Sequence, residues 1–156
     1  MTASPAKTHV SWQELDDLVA GLAARIGGAE GYDLLLAVTR GGLVPAGMLA
    51  YRLGIREILV AAVEYYDDEG ETHEEVVFHH FPDAALLRGQ RVLIVDEVWE
   101  TGATMAAVVA RVRDAGGEPT IAVLHYKPGR SLVDLRPDAW AAEVDDWVVY
   151  PYKAGR

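Results

Sequence analysis

The stretch Arg91-Val-Leu-Ile-Val-Asp-Glu-Val-Trp-Glu-Thr-Gly-Ala-Thr104 decides the fold. Its apolar run over residues 92–95 has the length of a buried strand and stops at two acids, Asp96 and Glu97. After a short polar loop, apolar residues recur at helical spacing. These residues are Met105, Val108, Val109 and Val112. We therefore predict a strand, a loop and a helix in direct succession.

The predicted loop combines features that suit an anionic ligand. In an open parallel sheet, ligands bind beyond the carboxyl ends of the strands, where Asp96 and Glu97 are expected. The loop Glu100-Thr-Gly-Ala-Thr104 brings small and hydroxyl-bearing residues to a helix N-terminus, whose free N–H groups and dipole attract phosphate. The segment therefore predicts an anion cradle beside carboxylates suited to sugar hydroxyls or to a metal ion.

The composition of the whole chain limits the possible functions. Its 156 residues suffice for one domain with a core and are too few for two ordinary domains. With 24 acids against 14 bases, the net charge of -10 argues against nucleic-acid binding and against binding to an anionic membrane. There is no cysteine, which excludes a disulfide framework and thiolate chemistry. Because the chain lacks a signal-peptide core and any apolar run of membrane-spanning length, we expect a cytoplasmic protein.

A second strand–loop–helix unit precedes the first. An apolar run over residues 33–38 stops at Thr39-Arg40-Gly41-Gly42, and a helix is predicted over residues 43–53. Arg40 would supply a fixed cation, and the two glycines would let backbone N–H groups approach a pyrophosphate closely. The alternative for this loop is an ordinary tight turn.

Other N-terminal segments are expected to form scaffold. Residues 1–10 are expected to be a flexible tail. Ser11 followed by Glu14 predicts a capping box at the start of an amphipathic helix that ends at Gly27. A third strand is predicted over residues 57–63.

Residues 65–81 include an acidic segment rich in turn-forming residues. They predict a flexible loop or a hairpin with an acidic turn. A solvated acidic loop is the plainer interpretation of most of them. His79 and His80 suggest a metal pair, but neighbouring residues of a strand point to opposite faces and chelate poorly.

The C-terminal part offers candidates for binding a planar ring. A strand over residues 120–124 would place Lys127 where a sheet-end ligand lies, although a lone lysine is more often a surface cation. Trp147 and Val148 begin an aromatic-rich segment that could form an apolar wall for a ring. Core packing or a dimer surface is the alternative for that segment.

These motifs together resemble the type I phosphoribosyltransferases. Residues 92–104 are similar to the phosphoribosyl-pyrophosphate (PRPP) signature of that family, and residues 39–42 to its pyrophosphate loop. Lys127 and the pair Trp147-Val148 resemble the purine enzymes of the xanthine–guanine or hypoxanthine–guanine type. The resemblance implies an α/β fold with an open, mainly parallel sheet flanked by helices, in a single domain over residues 1–156 with a small hood over residues 127–156.

The resemblance also implies a role for each residue at the phosphoribosyl end. Asp96 and Glu97 would hold the ribose hydroxyls, directly or through Mg²⁺. The loop residues Thr101, Gly102, Ala103 and Thr104 would bind the 5′-phosphate. Arg40, Gly41 and Gly42 would bind pyrophosphate, in a loop that often contains a non-proline cis peptide in this family.

At the base end, the resemblance implies that Glu100 lies near N7 of a purine as general acid or base. Lys127 would donate to O6 of a 6-oxopurine, and Trp147 or Val148 would cover the ring. The implied function is a Mg²⁺-dependent purine phosphoribosyltransferase of purine salvage, acting on PRPP and a purine base. Apolar and aromatic residues expected at the surface favour a homodimer. The alternatives are a non-catalytic nucleotide-binding or regulatory protein with this fold, and a phosphoribosyltransferase for another base.

Overall fold

A computed structural model describes the chain at residue 4 and over residues 6–67 and 74–153. The strands of these residues are β1 (Lys7–His9), β2 (Leu34–Thr39), β3 (Ile58–Asp67), β4 (Glu74–His80), β5 (Arg91–Trp99), β6 (Glu118–Tyr126), β7 (Ala139–Glu143) and β8 (Trp147–Val149). The helices are α1 (Trp12–Ile26), α2 (Leu43–Leu53), α3 (Ala84–Leu87) and α4 (Ala103–Asp114).

Six strands form the central sheet in the order β4-β3-β2-β5-β6-β7. The pairs from β3 across to β7 are parallel, and only the pair β3–β4 is antiparallel among the described strands of this sheet. The chain runs outward in opposite directions from β2 and from β5, so the strand order reverses between these two neighbours. Such a reversal opens a crevice at the carboxyl ends of the strands, where ligands of open α/β sheets bind.

Two apolar layers cover the two faces of this sheet because its central strands are buried on both sides. Alternate residues of β2, such as Leu35 and Ala37, pack with α1 and α2, and the others, such as Leu34 and Leu36, pack with α4. The sheet therefore fixes the strand ends between helices on both faces. The expected α/β architecture of a mainly parallel sheet flanked by helices is confirmed.

The helices follow their sequence signals closely. The Ser11 side chain accepts a hydrogen bond from the Glu14 N–H at 3.1 Å, and the Glu14 carboxylate accepts one from the Ser11 N–H at 2.7 Å. This is the predicted capping box of α1. Helix α2 has the predicted bounds and ends at Gly54, whose φ of 71° is the left-handed conformation of a helix stop.

Two boundaries differ from the sequence expectations. Lys7–His9 forms β1 rather than a tail, because its backbone pairs in parallel with β8. Strand β5 continues four residues beyond Val95, so Asp96 and Glu97 lie inside the strand. The reason is that β5 remains paired with β6 as far as Trp99, whose side chain is buried.

The segments expected to be a hairpin and a hood have more regular structure than the sequence indicates. Strands β3 and β4 form an antiparallel pair, and their acidic turn at residues 68–73 lies outside the described residues. Within the expected hood over residues 127–156, β7 joins the central sheet. The separate layer consists of β8 paired with β1 and a short 3₁₀ turn, Pro151–Lys153. In the described part of the chain, every helix is too short or too polar to cross a lipid bilayer.

Candidate active site

Apart from Trp147 and Val148, which lie on β8, the predicted site residues come from the carboxyl ends of three adjacent parallel strands. Strand β2 leads into the Arg40 loop, β5 into the Glu100 loop, and β6 into Lys127. The strand order β2-β5-β6 puts these three ends side by side at one edge of the sheet. Residues up to 87 positions apart in the chain are therefore neighbours in space.

The phosphate cradle lies at the start of α4. Gly102 caps this helix with φ 84°, a conformation that favours glycine. A Cβ at Gly102 would come within 2.7 Å of the Trp99 ring and within 2.6 Å of a Val133 methyl group. The Thr101 hydroxyl accepts a hydrogen bond from the Ala103 N–H at 3.3 Å and so shapes the turn. The cradle is a tight turn that a larger residue at position 102 would open.

A cavity of about 330 Å³ lies over this turn. Its walls include Asp96, Glu100, Thr101, Gly102 and Thr104. The cavity combines backbone N–H groups of a helix N-terminus, two hydroxyls and two carboxylates. That set can bind a phosphate and an attached sugar.

The loop after β2 has the backbone that the resemblance implies. The Thr39–Arg40 peptide bond is cis. A side chain at Gly41 would overlap the Glu97 carboxylate, and one at Gly42 would meet the backbone oxygens of Val38 and Val95 at 2.5 Å. Both glycines are therefore required for the close approach of the β2 loop to β5. Arg40 itself is exposed at the mouth of this loop.

Two residues from the C-terminal 3₁₀ turn hold the Glu97 carboxylate. The Tyr152 hydroxyl donates to Glu97 Oε2, and the Lys153 ammonium donates to Glu97 Oε1. Tyr152 Oη also lies 3.3 Å from the Gly41 carbonyl oxygen. Burial, together with the charge of Glu97, raises the pKa of Tyr152 far above its ordinary value. Tyr152 is therefore a neutral donor at this site.

Asp96 has a different environment from Glu97. Its Oδ1 accepts the Glu97 N–H at 2.7 Å. Burial raises the pKa of Asp96 to about 7, and the neighbouring Glu97 carboxylate acts in the same direction. Asp96 therefore gives up its proton less readily than an ordinary aspartate and can donate or accept at a sugar hydroxyl.

The two acids do not form a ready metal site. Both oxygens of Glu97 already accept a hydrogen bond, so a metal ion ligated by a remaining lone pair of Glu97 would lie beside the Lys153 ammonium, which repels it. Asp96 lines the cradle cavity and is the carboxylate open to a metal-bound water. Over residues 6–67 and 74–153 no three His, Asp or Glu side chains are grouped as metal ligands.

The residues predicted for the base end also meet. Lys127 Nζ lies 3.7 Å from Glu100 Oε1 and 6.0 Å from the centroid of the Trp147 ring. Lys127 is nearly fully buried, whereas Trp147 is 54% exposed. Val148 points to the opposite side of β8 and packs in the core, so it cannot offer its side chain to a ring.

Sequence reasoning did not single out Arg130, which binds Glu100 Oε1 at 3.1 Å. Arg130 ends a short 3₁₀ turn, Pro128–Arg130, directly after Lys127. The Lys-Pro-Gly-Arg sequence was the available signal, because a proline and a glycine after a strand predict a turn that brings a following residue back to the strand end.

A buried hydrogen-bonded chain behind the site also went unpredicted. His125 Nδ1 lies 2.7 Å from Tyr150 Oη, and the Tyr150 hydroxyl donates to the Glu97 backbone oxygen at 3.1 Å. Burial lowers the pKa of His125 to about 4, and the nearby Lys127 charge acts in the same direction. Because the Tyr150 hydroxyl donates its proton to Glu97, a neutral His125 bonds to it through its Nδ1–H.

A second and larger cavity, of about 860 Å³, lies beside the cradle. Thr39, Arg40, Glu97 and Lys153 line it, and Tyr65 lines both this cavity and the cradle. Its position, between the β2 loop and the C-terminal turn, makes it the candidate place for a pyrophosphate. We call it the diphosphate cavity below.

Comparison with known proteins agrees with this geometry. The phosphoribosyl transferase domain family matches residues 11–153. The purine phosphoribosyltransferase from Pyrococcus horikoshii OT3 is 31% identical, with a TM-score of 0.80 over 96% of this chain and 95% of that chain.

Two further structures are similar. A hypothetical protein from Neisseria gonorrhoeae with bound ppGpp is 30% identical, with a TM-score of 0.84 over 97% of this chain and 91% of that chain. The xanthine-guanine-hypoxanthine phosphoribosyltransferase from Helicobacter pylori, at 18% identity, shares the fold with a TM-score of 0.78 over 96% of this chain and 95% of that one. With its strand-end loops, its cradle and these matches, the chain belongs to the purine phosphoribosyltransferase family.

Proposed function

We propose that this protein transfers the 5-phosphoribosyl group of PRPP to a 6-oxopurine base, with release of pyrophosphate and formation of the nucleoside 5′-monophosphate. The reaction belongs to purine salvage. Its substrates are PRPP and guanine, xanthine or hypoxanthine.

One observation carries the choice of a 6-oxopurine. The buried Lys127 ammonium is held 3.7 Å from Glu100 and 6.0 Å from the Trp147 ring centroid, at the strand end next to the cradle. A fixed ammonium is a donor only, so it favours a base that presents a carbonyl oxygen and disfavours one that presents an amino group. The half-exposed Trp147 face offers a flat apolar surface beside that donor.

The groups that line the cradle support binding of the phosphoribosyl part of PRPP. The first N–H groups of α4 and the hydroxyls of Thr101 and Thr104 would bind the 5′-phosphate. The Asp96 carboxyl borders the same cavity and would hold a ribose hydroxyl. Because these groups are fixed before the substrate arrives, positioning would supply much of the rate.

The proposed reaction requires few chemical groups from the protein. Loss of pyrophosphate from C1 of the ribose develops positive charge on the sugar and negative charge on the leaving group. Arg40 would stabilise the leaving group, and Glu100 would accept the proton that the purine loses. Glu100 is held for this role by Arg130 at 3.1 Å.

Members of this family generally use Mg²⁺ with PRPP. We propose that Mg²⁺ enters with PRPP beside Asp96, whose carboxyl group lines the cradle cavity, because Glu97 is paired with Tyr152 and Lys153. When bound, Mg²⁺ would neutralise charge on the leaving pyrophosphate.

A panel of bases tests the proposal. The purified protein is given PRPP, Mg²⁺ and one of guanine, xanthine, hypoxanthine or adenine, and pyrophosphate release is measured. The proposal predicts release with at least one 6-oxopurine and much less with adenine. Release with none of the four bases would contradict it.

A second candidate function is binding of a guanine nucleotide without turnover. The observation in its favour is the Neisseria gonorrhoeae protein, 30% identical, whose structure holds ppGpp. A cradle for phosphate and a lysine for a 6-oxo group would suit such a ligand equally. Calorimetric titration with ppGpp and with GMP, beside the activity panel, separates the two: tight binding without turnover would favour this candidate.

We further propose a cytoplasmic homodimer. The motivating feature is exposed apolar surface on α2 and β3, where Tyr51 is 93% exposed and Ile58 is 43% exposed. Light scattering coupled to size exclusion measures the mass, and a monomer at micromolar concentration would contradict the dimer.

A further inference from the structure

The charges around the diphosphate cavity are unusual for a site that must accept an anion. Two acids, Glu64 and Glu97, line it together with two cations, Arg40 and Lys153. The His79 ring lies 3.1 Å from the Glu64 carboxylate. Without Lys153, the acids would outnumber the permanent cations in this lining, and the cavity would repel a pyrophosphate.

The contact between Lys153 and Glu97 is built into the fold. The Glu97 side chain is only 9% exposed, and its two oxygens accept hydrogen bonds from Lys153 and Tyr152. A buried carboxylate requires such a partner, because burial of an unpaired charge is costly. Strands β1 and β8 and the 3₁₀ turn after them bring Lys153 to this place.

Lys153 also faces outward. Its side chain is 46% exposed, and it lines both the diphosphate cavity and a smaller cavity of about 280 Å³ with Arg40 and Gly41. An ammonium carries three donors. Lys153 can therefore keep its bond to Glu97 and still donate to a ligand oxygen next to Arg40.

We propose that Lys153 is a fixed cation of the diphosphate site, and that it takes the place a metal ion would otherwise occupy at Glu97. This inference deepens the proposed function and rests on it. Glu97 is then a positioning residue, which orients Lys153 and the β2 loop rather than ligating a metal. The chain itself supplies positive charge that a pyrophosphate needs at this end.

Binding of inorganic pyrophosphate in the presence of EDTA tests whether Lys153 is a cation of the diphosphate site. Calorimetry is run on the full-length wild type, on Lys153→Met, which keeps most of the aliphatic stem, and on Lys153→Arg, which keeps the charge. We expect metal-free binding by the wild type, at least about tenfold weaker binding by Lys153→Met, and binding within about threefold of wild type by Lys153→Arg. Arg113→Met removes an exposed cation at the end of α4 and is expected to bind like the wild type.

Manganese binding to the ligand-free protein tests whether Lys153 takes the place of a metal ion at Glu97. The concentration of free Mn²⁺ is measured from its electron paramagnetic resonance signal. Lys153→Met, in which Glu97 has lost its cation, is expected to bind Mn²⁺ at least about tenfold more tightly than the wild type. Circular dichroism confirms that each variant is folded.

The outcomes separate this inference from the proposed function. No metal-free pyrophosphate binding by the wild type, equal pyrophosphate binding by wild type and Lys153→Met, or equal Mn²⁺ affinity of the two would overturn the role of Lys153, even if the base panel shows turnover. A protein inactive with all bases would defeat the proposed function, while a loss of pyrophosphate binding confined to Lys153→Met would still support the cation site.

Discussion

The phosphate cradle and the diphosphate cavity are adjacent, yet they are built in opposite ways. The cradle turn consists of contiguous residues: the Ala103 N–H donates to the Thr101 hydroxyl two positions earlier, and Gly102 caps the helix. At the diphosphate cavity, Glu97 is bonded by residues 55 and 56 positions later in the chain. The cradle therefore depends on local backbone geometry, whereas the diphosphate cavity depends on docking of the C-terminal segment.

This difference predicts how substitutions in each region affect stability and ligand binding. A change within the cradle must alter the turn itself, and the effect should appear in both stability and phosphate binding. A change at the C-terminal turn should leave the cradle intact and affect binding at the diphosphate end, with a smaller loss of stability.

The largest effect is expected from Gly102→Ala. An alanine at φ 84° is strained, and its Cβ would meet the Trp99 ring and Val133. We expect a loss of about 3 kcal/mol in the free energy of unfolding and a loss of PRPP binding. Urea denaturation and calorimetry measure the two effects. Gly47→Ala in α2, where a Cβ meets nothing within 4 Å, is the control and should not destabilise the protein.

Lys127→Met tests the base end. It removes the buried ammonium near Glu100 and Trp147, so a carbonyl oxygen of the base would lose its charged donor. We expect the KM for a 6-oxopurine to rise roughly 10- to 100-fold, while the KM for PRPP changes by less than about threefold. Steady-state kinetics with each substrate varied in turn checks this, and an equal rise in both constants would argue against the O6 role.

The buried His125 predicts a pH dependence of stability. Its pKa is about 4 in the folded protein against 6.5 for an ordinary histidine, so the unfolded chain binds more protons between these values. This contribution is complete above about pH 6.5 and is lost as the pH falls toward 4, by about 3 kcal/mol in total. Urea denaturation across this range should show a steeper fall for wild type than for His125→Gln, and equal slopes would contradict the assignment.

The smallest effect is expected from Tyr152→Phe. It removes the hydroxyl that bonds Glu97 but keeps the ring stacked on Tyr150 at a centroid distance of 5.4 Å. We expect a loss of about 1 kcal/mol in the free energy of unfolding and a rise in the KM for PRPP of a few fold. Tyr51→Phe, on an exposed tyrosine, is the matched control and should change neither quantity. A Tyr152→Phe variant that loses binding as fully as Gly102→Ala would remove the distinction between the two regions.

The sequence predicts the cradle well because its signals are local. The bounds of α2, the capping box of α1 and the strand–loop–helix order around Thr101 all follow from periodicity and capping residues. The cis peptide at Arg40 was expected only from the family resemblance. These features require no knowledge of distant contacts.

The diphosphate end could not be predicted in the same way. The pairing of β1 with β8 joins residues about 140 positions apart, and strands of three residues leave almost no periodic pattern. Tyr152 and Lys153 follow β8 directly, and that pairing together with the buried Tyr150 brings them to Glu97. Likewise, β5 extends past the acids because β6 continues beside it, which no pattern within residues 91–99 shows.

The proposed activity requires that one site joins the phosphoribosyl group to a 6-oxopurine. The most direct test is a competition in which the wild-type protein receives PRPP, Mg²⁺ and equal concentrations of guanine, xanthine, hypoxanthine and adenine, with the nucleotides identified by mass spectrometry. We predict 5′-monophosphates of one or more 6-oxopurines and little or no AMP. Formation of AMP alone, or of no nucleotide, would contradict the account.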